Sequence, residues 1–299
     1  MKILEVKDLC KRFGSKTILD GLSFSVNEGS VFGFIGRNGA GKTTTMKIIL
    51  GLLQADSGEI TVCGEKVHYG STPTNRYIGY LPDVPEFYGY MTAGEYLRLC
   101  GDITGMKQSE IKTRTSELLE LVGLAGEKHR IKGYSRGMKQ RLGIAQALIN
   151  KPRLLICDEP TSALDPVGRK EILEIIRSAR GETSVIFSTH ILSDVERICD
   201  DTAILEKGKI ALSGTVSELR AKRSGSDLHI VFANASDCRK AAALLGAEIS
   251  DNGTVIIRNA SEDKLFAALR TISDSKLPVS KIEHAEADLE QLFMEVIGK

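Results

Sequence analysis

Hydrophobic residues along the chain change repeatedly from short continuous runs to a spacing of three to four residues. The run Val31–Ile35 predicts a buried strand, and the residues after Lys42 have the spacing of a helix. The apolar face of that helix is formed by Met46, Ile49, Leu50 and Leu53. Further strands are predicted at 154–157 and 185–187, and further helices at 167–179 and 191–199. Alternating strands and helices predict an α/β fold with a largely parallel sheet.

The segment from about 92 to 150 has mainly helical patterns. Thr92 and Glu95 have the spacing of a capping box, which marks the start of a helix. A second helical face is formed by Ile111, Thr115, Leu118, Leu119 and Val122. A helical subdomain is therefore predicted between the first two strands of the sheet.

A different pattern follows residues 213–227, where small and charged residues indicate a domain boundary. We expect one domain over 1–220 and a small α+β domain over 227–299. The order predicted for the second domain is β-α-β-β-α-β, which is the order of a ferredoxin-like sandwich. It includes a hairpin with its turn at Asp251-Asn252-Gly253, and a last helix follows from about Ala287 to Ile297.

Composition and charge narrow the possible partners. The 299 residues include 42% hydrophobic and 26% charged residues, a mixture typical of globular proteins. A net charge of +1, without a long basic block, argues against a nucleic-acid partner. No apolar stretch approaches the ~20 residues of a membrane-spanning helix, and Met1–Cys10 does not resemble a signal peptide. We therefore expect a cytoplasmic chain. The six cysteines lack metal-site spacing and are expected to be free thiols.

A glycine-rich segment after the first buried strand carries the strongest chemical signal. Residues 36–43 match G-x-x-x-x-G-K-[ST] and lie between a predicted strand and a predicted helix, as a phosphate-binding loop requires. Backbone N–H groups and the helix N-terminus would hold phosphates, Lys42 would reach the β and γ phosphates, and Thr43 would bind Mg²⁺. The candidate nucleotide-binding residues here are Gly36, Arg37, Asn38, Gly39, Ala40, Gly41, Lys42, Thr43 and Thr44.

Two further strands end in residues suited to hydrolysis. Asp158 and Glu159 follow four apolar residues, and His190 follows the strand 185–187. The carboxyl ends of parallel strands share one edge of a sheet, where ligands bind. Asp158 is the candidate Mg²⁺ ligand, Glu159 the candidate base for the attacking water, and His190 a candidate contact of the γ-phosphate.

Together with four further segments, these motifs resemble the ATP-binding cassette (ABC) ATPases. Residues 134–141 (YSRGMKQR) resemble the family's signature motif, and 162–165 (SALD) its D-loop. Residues 188–190 resemble the switch histidine segment, and Phe13 the aromatic that stacks on adenine. The resemblance covers residues 1 to about 220 in the expected order. It implies a P-loop core with a small antiparallel β subdomain and a helical subdomain, and ATP and Mg²⁺ as cofactors.

The resemblance also implies a second cassette as partner. Ser135 would cap the following helix, so that its hydroxyl and the Gly137 N–H form a second anion site. In the family this site closes over ATP that is bound to the partner cassette. The pair could be a homodimer or a heterodimer.

The chain departs from the family at two places. Arg136 stands at a signature position that is usually glycine, and it could make charge-assisted contacts or lie on the surface. Asp83 follows Pro82 where the family usually has the Q-loop glutamine. The Asp83 carboxylate could still accept a hydrogen bond from a metal-bound water, so Asp83 is a candidate residue of the metal site.

Taken together, the sequence predicts the ATPase subunit of an ABC transporter at the cytoplasmic face of the membrane. Transmembrane permease subunits would be its partners, and Phe87, Tyr88 and Tyr90 would belong to the docking surface. Resemblance to drug, sodium and polysaccharide exporters favours export. The alternative is a soluble ABC ATPase acting on ribosomes or DNA, and an ordinary P-loop kinase would lack the Ser135 site. The C-terminal domain is expected to be regulatory or dimer-contacting.

Overall fold

The computed structural model describes residues 1–70, 73–222, 227–250, 253–258, 260–285 and 292–293. Within these ranges the chain divides into two compact units, Met1–Val216 and Ser217–Lys299. The strands of the first unit are β1 (Lys2–Phe13), β2 (Lys16–Asn27), β3 (Val31–Gly36), β4 (Ser57–Val62), β5 (Glu65–Lys66), β6 (Ile78–Leu81), β7 (Leu154–Asp158), β8 (Ser184–Thr189), β9 (Asp201–Glu206) and β10 (Lys209–Thr215). Its helices are α1 (Lys42–Ile49), α2 (Ala93–Ile103), α3 (Gln108–Leu121), α4 (Arg136–Leu148), α5 (Pro166–Ser178) and α6 (Leu192–Ile198), and α7 (Val216–Lys222) crosses into the second unit.

A six-stranded sheet forms the centre of the first unit. Its strand order is β10-β9-β3-β8-β7-β6, and every neighbouring pair is parallel except β10 with β9. Strands β3, β7 and β8 are buried along their whole length, which explains their continuous apolar runs. The predicted α/β core with a largely parallel sheet is confirmed.

A second sheet is antiparallel and packs against the phosphate-loop strand β3. It has the order β2-β1-β4-β5 and corresponds to the small β subdomain that the resemblance implied. Its Phe24 stacks on Phe32 and Phe34 of β3 with ring centroids 5.6 and 5.1 Å apart, so the two sheets share one hydrophobic core. Its strand β1 ends at Phe13.

The helical region lies between β6 and β7, and the sheet strand β6 that precedes it was not among the predicted strands. Thr92 caps α2, and the reciprocal bonds of the capping box with Glu95 are present. Among the described residues the longest helix, α3, has 14 residues, and no helix there is long and apolar enough to cross a membrane.

Helix α4 contacts the edge strand β6 backbone to backbone. A Cβ atom built on Gly79 would lie 2.0 Å from the carbonyl oxygen of Ala147, far inside van der Waals contact. Only glycine at this position allows the end of α4 to approach β6 so closely.

Two element boundaries differ from the prediction. Helix α1 ends at Ile49, so Leu53 lies beyond the helix whose face it was predicted to share. The predicted boundary segment 213–227 contains the end of β10 and the helix α7. Val216 and Leu219 are buried there, and these two apolar contacts stabilise a helix among charged residues.

The second unit has the strands β11 (Asp227–Phe232), β12 (Glu248–Ile249), β13 (Thr254–Ile257) and β14 (Val279–Ala285), with helices α8 (Ala235–Leu245) and α9 (Glu262–Asp274). Its antiparallel sheet has the order β12-β13-β11-β14. The predicted succession β-α-β-β-α-β is present, and β12 pairs with β13 as the predicted hairpin requires. The turn residues Asp251 and Asn252 lie outside the described residues, as does the predicted last helix apart from 292–293.

Candidate active site

Strand order brings the predicted site residues to one edge of the sheet. The neighbours β3, β8, β7 and β6 are parallel, so their carboxyl ends lie side by side. The glycine-rich loop follows β3, His190 follows β8, Glu159 follows β7 and Asp83 lies just after β6. This is the edge at which open α/β sheets bind ligands.

The glycine-rich loop leaves the start of α1 uncapped by any side chain. Gly41 occupies the N-cap position with φ 114°, and a Cβ there would lie 2.7 Å from Leu19 Cδ2. The free N–H groups of the first helical turn and the helix dipole together favour an anion. Residues 37–39 are exposed, Ala40 and Thr44 are half-buried, and the Thr43 side chain is exposed at the helix start.

Lys42 is buried beneath this loop, where its ammonium group has three close partners. Nζ donates to the Gly36 carbonyl at 2.7 Å and to the Arg37 carbonyl at 3.4 Å. It also lies 3.0 Å from Glu159 Oε1. The phosphate-loop cation and the predicted base are therefore in direct contact.

Glu159 lies between two of the predicted site residues. While Oε1 faces Lys42, Oε2 lies 2.8 Å from His190 Nδ1. An ionised carboxylate can only accept a hydrogen bond, so a hydrogen bond to it requires the tautomer of His190 that carries a proton on Nδ1. Glu159 adopts φ 49°, an uncommon left-handed conformation for a residue other than glycine. Its backbone N–H is held by the Ser188 carbonyl at 3.0 Å.

Asp158 is fully buried at the end of β7. It is the cross-strand neighbour of Ser188 on β8, and the Ser188 hydroxyl donates to Asp158 Oδ1 at 2.6 Å. The same hydroxyl oxygen accepts from the Glu159 N–H at 3.2 Å. Ser188 thus orients both acidic residues of the site.

Asp83 makes its contacts with the D-loop and with α4. Its Oδ1 accepts a hydrogen bond from Ser162 Oγ at 2.6 Å, and its backbone carbonyl accepts one from Gln140 at 3.3 Å. Arg136 lies 3.9 Å from the same Oδ1 and donates to Ser162 Oγ at 3.5 Å. Both alternatives for Arg136 are present together, because the side chain is about half exposed and also lies next to the Asp83 carboxylate. Burial, with the nearby Asp158 and Asp83 carboxylates, raises the pKa of Tyr80 to about 12.

Ser135 and Gly137 lie along a separate cavity of about 420 Å³. Ser135 caps α4 as predicted, and its Oγ accepts from the Met138 N–H at 3.2 Å. Across the cavity, Asp165 caps α5 by accepting from the Gly168 N–H at 2.9 Å. The signature motif and the D-loop therefore border one cavity, and Lys42 and Glu159 are not among the residues that line it.

Phe13 is exposed over about half of its surface, so it does not serve as a core residue. The Lys11 ammonium lies 5.3 Å from the centroid of its ring. That ammonium also binds Asp56 Oδ1 at 2.9 Å. Its hydrogen bond, together with the Arg12 N–H, lowers the pKa of the Asp56 carboxyl. The ring thus has one open face, as a base-stacking residue requires.

The aromatic segment after Asp83 is partly exposed. Phe87 is half-buried against Tyr96, with ring centroids 5.1 Å apart, whereas Tyr88 and Tyr90 are more than half exposed and contact each other. Phe87 also lines a cavity of about 470 Å³ that is bordered by Asp83, Val84 and Arg136. The segment therefore borders a cavity next to the Q-loop position and carries two exposed tyrosines beside it.

The sequence and the fold of this chain are similar to those of known proteins. A family model described as ABC transporter matches residues 19–162. The bacitracin transport ATP-binding protein BcrA of Bacillus licheniformis is 37% identical, over 99% of this chain and 97% of its own. The Nod factor export ATP-binding protein I of Ralstonia nicotianae is 34% identical, over 99% of this chain and 94% of its own. A solved ATP-binding subunit of an ABC transporter has a TM-score of 0.66 and 34% identity, over 74% of this chain and 92% of its own.

The chain belongs to the ATP-binding proteins of ABC transporters. It is therefore an ATP-binding, ATP-hydrolysing subunit, as the sequence predicted. These relatives support the transport function and not the alternative of an ATPase acting on ribosomes or DNA.

Sequence reasoning missed two residues of this ABC ATPase site. Ser188 orients Asp158 and Glu159, and Ser162 binds Asp83. Both lie inside segments that resembled family motifs, but the pattern alone gave no partner for either hydroxyl. The strand pairing of Asp158 with Ser188 supplies the missing information.

Proposed function

We propose that this ABC ATPase powers export through separate transmembrane subunits, with Glu159 as the base that activates water. The observation that carries the catalytic proposal is the position of the Glu159 carboxylate between Lys42 and His190. Export is favoured by the Nod factor exporter, which matches this chain over nearly the full length of both proteins.

The chemistry follows from the residues at the sheet edge. Glu159 would accept a proton from water aligned with the γ-phosphoryl group, and its fixed backbone would hold the carboxylate in line. Lys42 would neutralise charge that develops on the phosphate oxygens. His190 would keep Glu159 oriented through Nδ1 and would offer its outer nitrogen toward the γ-phosphate. Phe13 would stack on the adenine ring.

The donor set fits Mg²⁺. Thr43 offers an exposed hydroxyl at the start of α1, and Asp158 offers carboxylate oxygens, both of which are hard ligands. In the described part of the chain no cluster of three histidine, cysteine or acidic side chains could hold a metal alone. This arrangement suits an ion that keeps waters and binds substrate phosphates. Bound Mg²⁺ would neutralise phosphate charge, while Ser188 holds the Asp158 oxygen in place.

The signature motif would act on a second cassette. Ser135 and Gly137 stand at the N-terminus of α4, whose dipole favours an anion. The cavity that they border is not lined by Lys42 or Glu159, so the two half-sites of one copy would be separate. We propose that ATP held by one cassette is completed by the Ser135 end of another. A single cassette would then hydrolyse ATP slowly.

The permease would dock at the cavity beside the Q-loop position, at the cytoplasmic face of the membrane. Val84, which lines the cavity, and the nearby Tyr88 and Tyr90 are each more than half exposed, and neighbouring exposed apolar side chains are typical of an interaction site. Residues 227–299 are proposed to be a regulatory or dimer-contacting domain, for which the exposed Phe266 on α9 is a candidate contact. Nucleic acid is not part of the proposal.

The experiment is a mild-detergent purification of tagged chain from its own cell membranes, followed by mass spectrometry. A polytopic membrane protein in near-equal amount supports the proposal. Recovery of ribosomes or soluble proteins alone would reject a transport complex. Everted vesicles that contain the recovered pair then test direction, because an exporter accumulates its cargo inside them when ATP is added outside.

A further inference from the structure

Three segments that are distant in sequence meet at one hydroxyl group. Ser162 Oγ donates to Asp83 Oδ1 at 2.6 Å and accepts from Arg136 Nη2 at 3.5 Å. Asp83 follows β6, Arg136 begins α4, and Ser162 lies in the loop between β7 and α5. The hydroxyl therefore joins the Q-loop position, the signature helix and the D-loop within one protomer.

This junction is continuous with the proposed base. The Ser162 N–H donates to the Glu159 carbonyl at 3.1 Å, which closes a tight turn directly behind the Glu159 side chain. Glu159 and Ala163, on either side of Ser162, both have left-handed φ values of 49° and 52°. Because such conformations cost energy, they persist only where neighbouring contacts hold them. The Asp83–Ser162 bond is one of these contacts.

Charge explains why Asp83 and Arg136 occur together. Each side chain is about half exposed, and each lies within 4 Å of the other. Asp83 alone would place a negative charge beside the phosphate-binding edge, and Arg136 alone would place a positive charge beside Ser162. Together they make a neutral pair around a shared hydroxyl, with the Asp83 backbone fixed by the buried Gln140.

We infer that Asp83 and Arg136 are a matched pair of positioning residues, which hold the Glu159 loop through Ser162, and that Asp83 is not a ligand of the metal. The inference rests on the proposed role of Glu159. Asp83 Oδ1 is already bound by a hydroxyl, and the structure joins it to the D-loop instead of to Thr43 or Asp158. The pair acts on hydrolysis through the position of Glu159.

The test compares steady-state ATP hydrolysis by the full chain with that of Asp83→Asn, Arg136→Gln and the double variant. Each single variant should lower kcat about fivefold with KM for ATP within about twofold, because the loop is misplaced but the nucleotide contacts remain. The double variant should lose about as much as either single variant, because the two changes remove the same pairing. Arg136→Lys keeps the charge and should retain most activity.

A titration with Mg²⁺ distinguishes positioning from metal binding. Under the inference, the Mg²⁺ concentration for half-maximal hydrolysis is unchanged in all variants. A rise in this Mg²⁺ concentration that is confined to the Asp83 variants would overturn the inference. It would also be overturned if the losses of kcat multiplied in the double variant, or if no variant lost activity. Lys112→Gln removes an exposed cation from α3 and should behave like wild type. Glu159→Gln, measured in parallel, tests the proposed base by itself. If this variant retained hydrolysis while the Asp83 and Arg136 variants behaved as expected, the assignment of Glu159 as the base would be wrong, and the pairing of Asp83 with Arg136 would stand.

Discussion

The hydroxyl of Ser188 donates to Asp158 over 2.6 Å, and the same oxygen accepts from the N–H of Glu159. Two acidic residues with different proposed tasks thus share one neutral partner on the adjacent strand. Because Ser188 is buried, water cannot replace it when it is removed.

Ser188→Ala should therefore lower kcat about tenfold and raise the Mg²⁺ requirement, because both acids lose a hydrogen bond that orients them. Ser184→Ala is the matched control. It is equally buried on β8, but its hydroxyl accepts from the Gly29 N–H, away from the site. Both variants should lose about 1–3 kcal/mol of stability in urea unfolding. Equal kinetic losses in the two variants would show that Ser188 has only a structural role.

Glu159→Gln should bind ATP and lower kcat by a factor of about 10²–10⁴, since an amide cannot accept the proton of water. The variant should also accumulate as an ATP-bound dimer, which gel filtration with and without ATP would detect. Exposed Glu182→Gln is the control for loss of a carboxylate. Wild-type hydrolysis by Glu159→Gln would reject the assignment of the base.

Phe13→Ala should raise KM for ATP about tenfold and leave kcat nearly unchanged, because stacking contributes on the order of 1–3 kcal/mol per base and acts far from the γ-phosphate. Phe13→Tyr should keep wild-type affinity. Tyr69→Ala removes another exposed aromatic and serves as the control. Titration with a fluorescent ATP analogue checks the affinity directly, and an unchanged Kd would exclude Phe13 from the adenine site.

Tyr90→Glu and Val84→Glu should prevent co-purification with the membrane subunit while leaving nucleotide affinity intact, since a charge is costly in an apolar interface. Both side chains are more than half exposed, so the changes should not unfold the domain. Ile103→Glu, on the even more exposed end of α2, is the control. Normal assembly of Tyr90→Glu and Val84→Glu would show that docking occurs elsewhere.

Cys157 should resist alkylation at pH 8 in the folded protein, whereas half-buried Cys10 should react. Burial, with the Asp158 charge as a smaller cause, raises the pKa of the Cys157 thiol, and only the thiolate is nucleophilic. The unfolded thiol ionises near pH 8.5, so the unfolded state binds fewer protons above that pH, and the free energy of unfolding should fall there. Mass spectrometry after timed alkylation, with urea-unfolded protein as reference, measures both cysteines. Rapid labelling of folded Cys157 would contradict its burial.

Much of the site could be predicted because its motifs are contiguous in sequence. The loop 36–43, the Asp158–Glu159 pair and the Ser135 cap each depend on a few neighbouring residues, and the strand or helix beside each motif fixes its geometry locally. In the C-terminal sequence, the pattern of apolar and polar residues is likewise clear enough to predict the order of strands and helices.

The contacts that the sequence did not reveal are those between distant residues. The partners of Arg136 are at positions 83 and 162, and no local pattern relates the three. The end of α1 was also misplaced, because Leu53 continues the helical spacing although the chain has already turned at Leu50 and Gly51. The spacing of apolar residues shows only which positions are apolar, whereas a helix ends at the residue where the helical backbone hydrogen bonds stop.

The close approach of Ala147 to Gly79 fixes the C-terminal end of α4 against β6. The helix is pressed against β6 at its C-terminal end and carries Ser135 at the other end, about 20 Å away at 1.5 Å per residue. A side chain at position 79 would push this end of α4 away from β6, so a substitution in the edge strand would displace the helix that carries Ser135 at its other end.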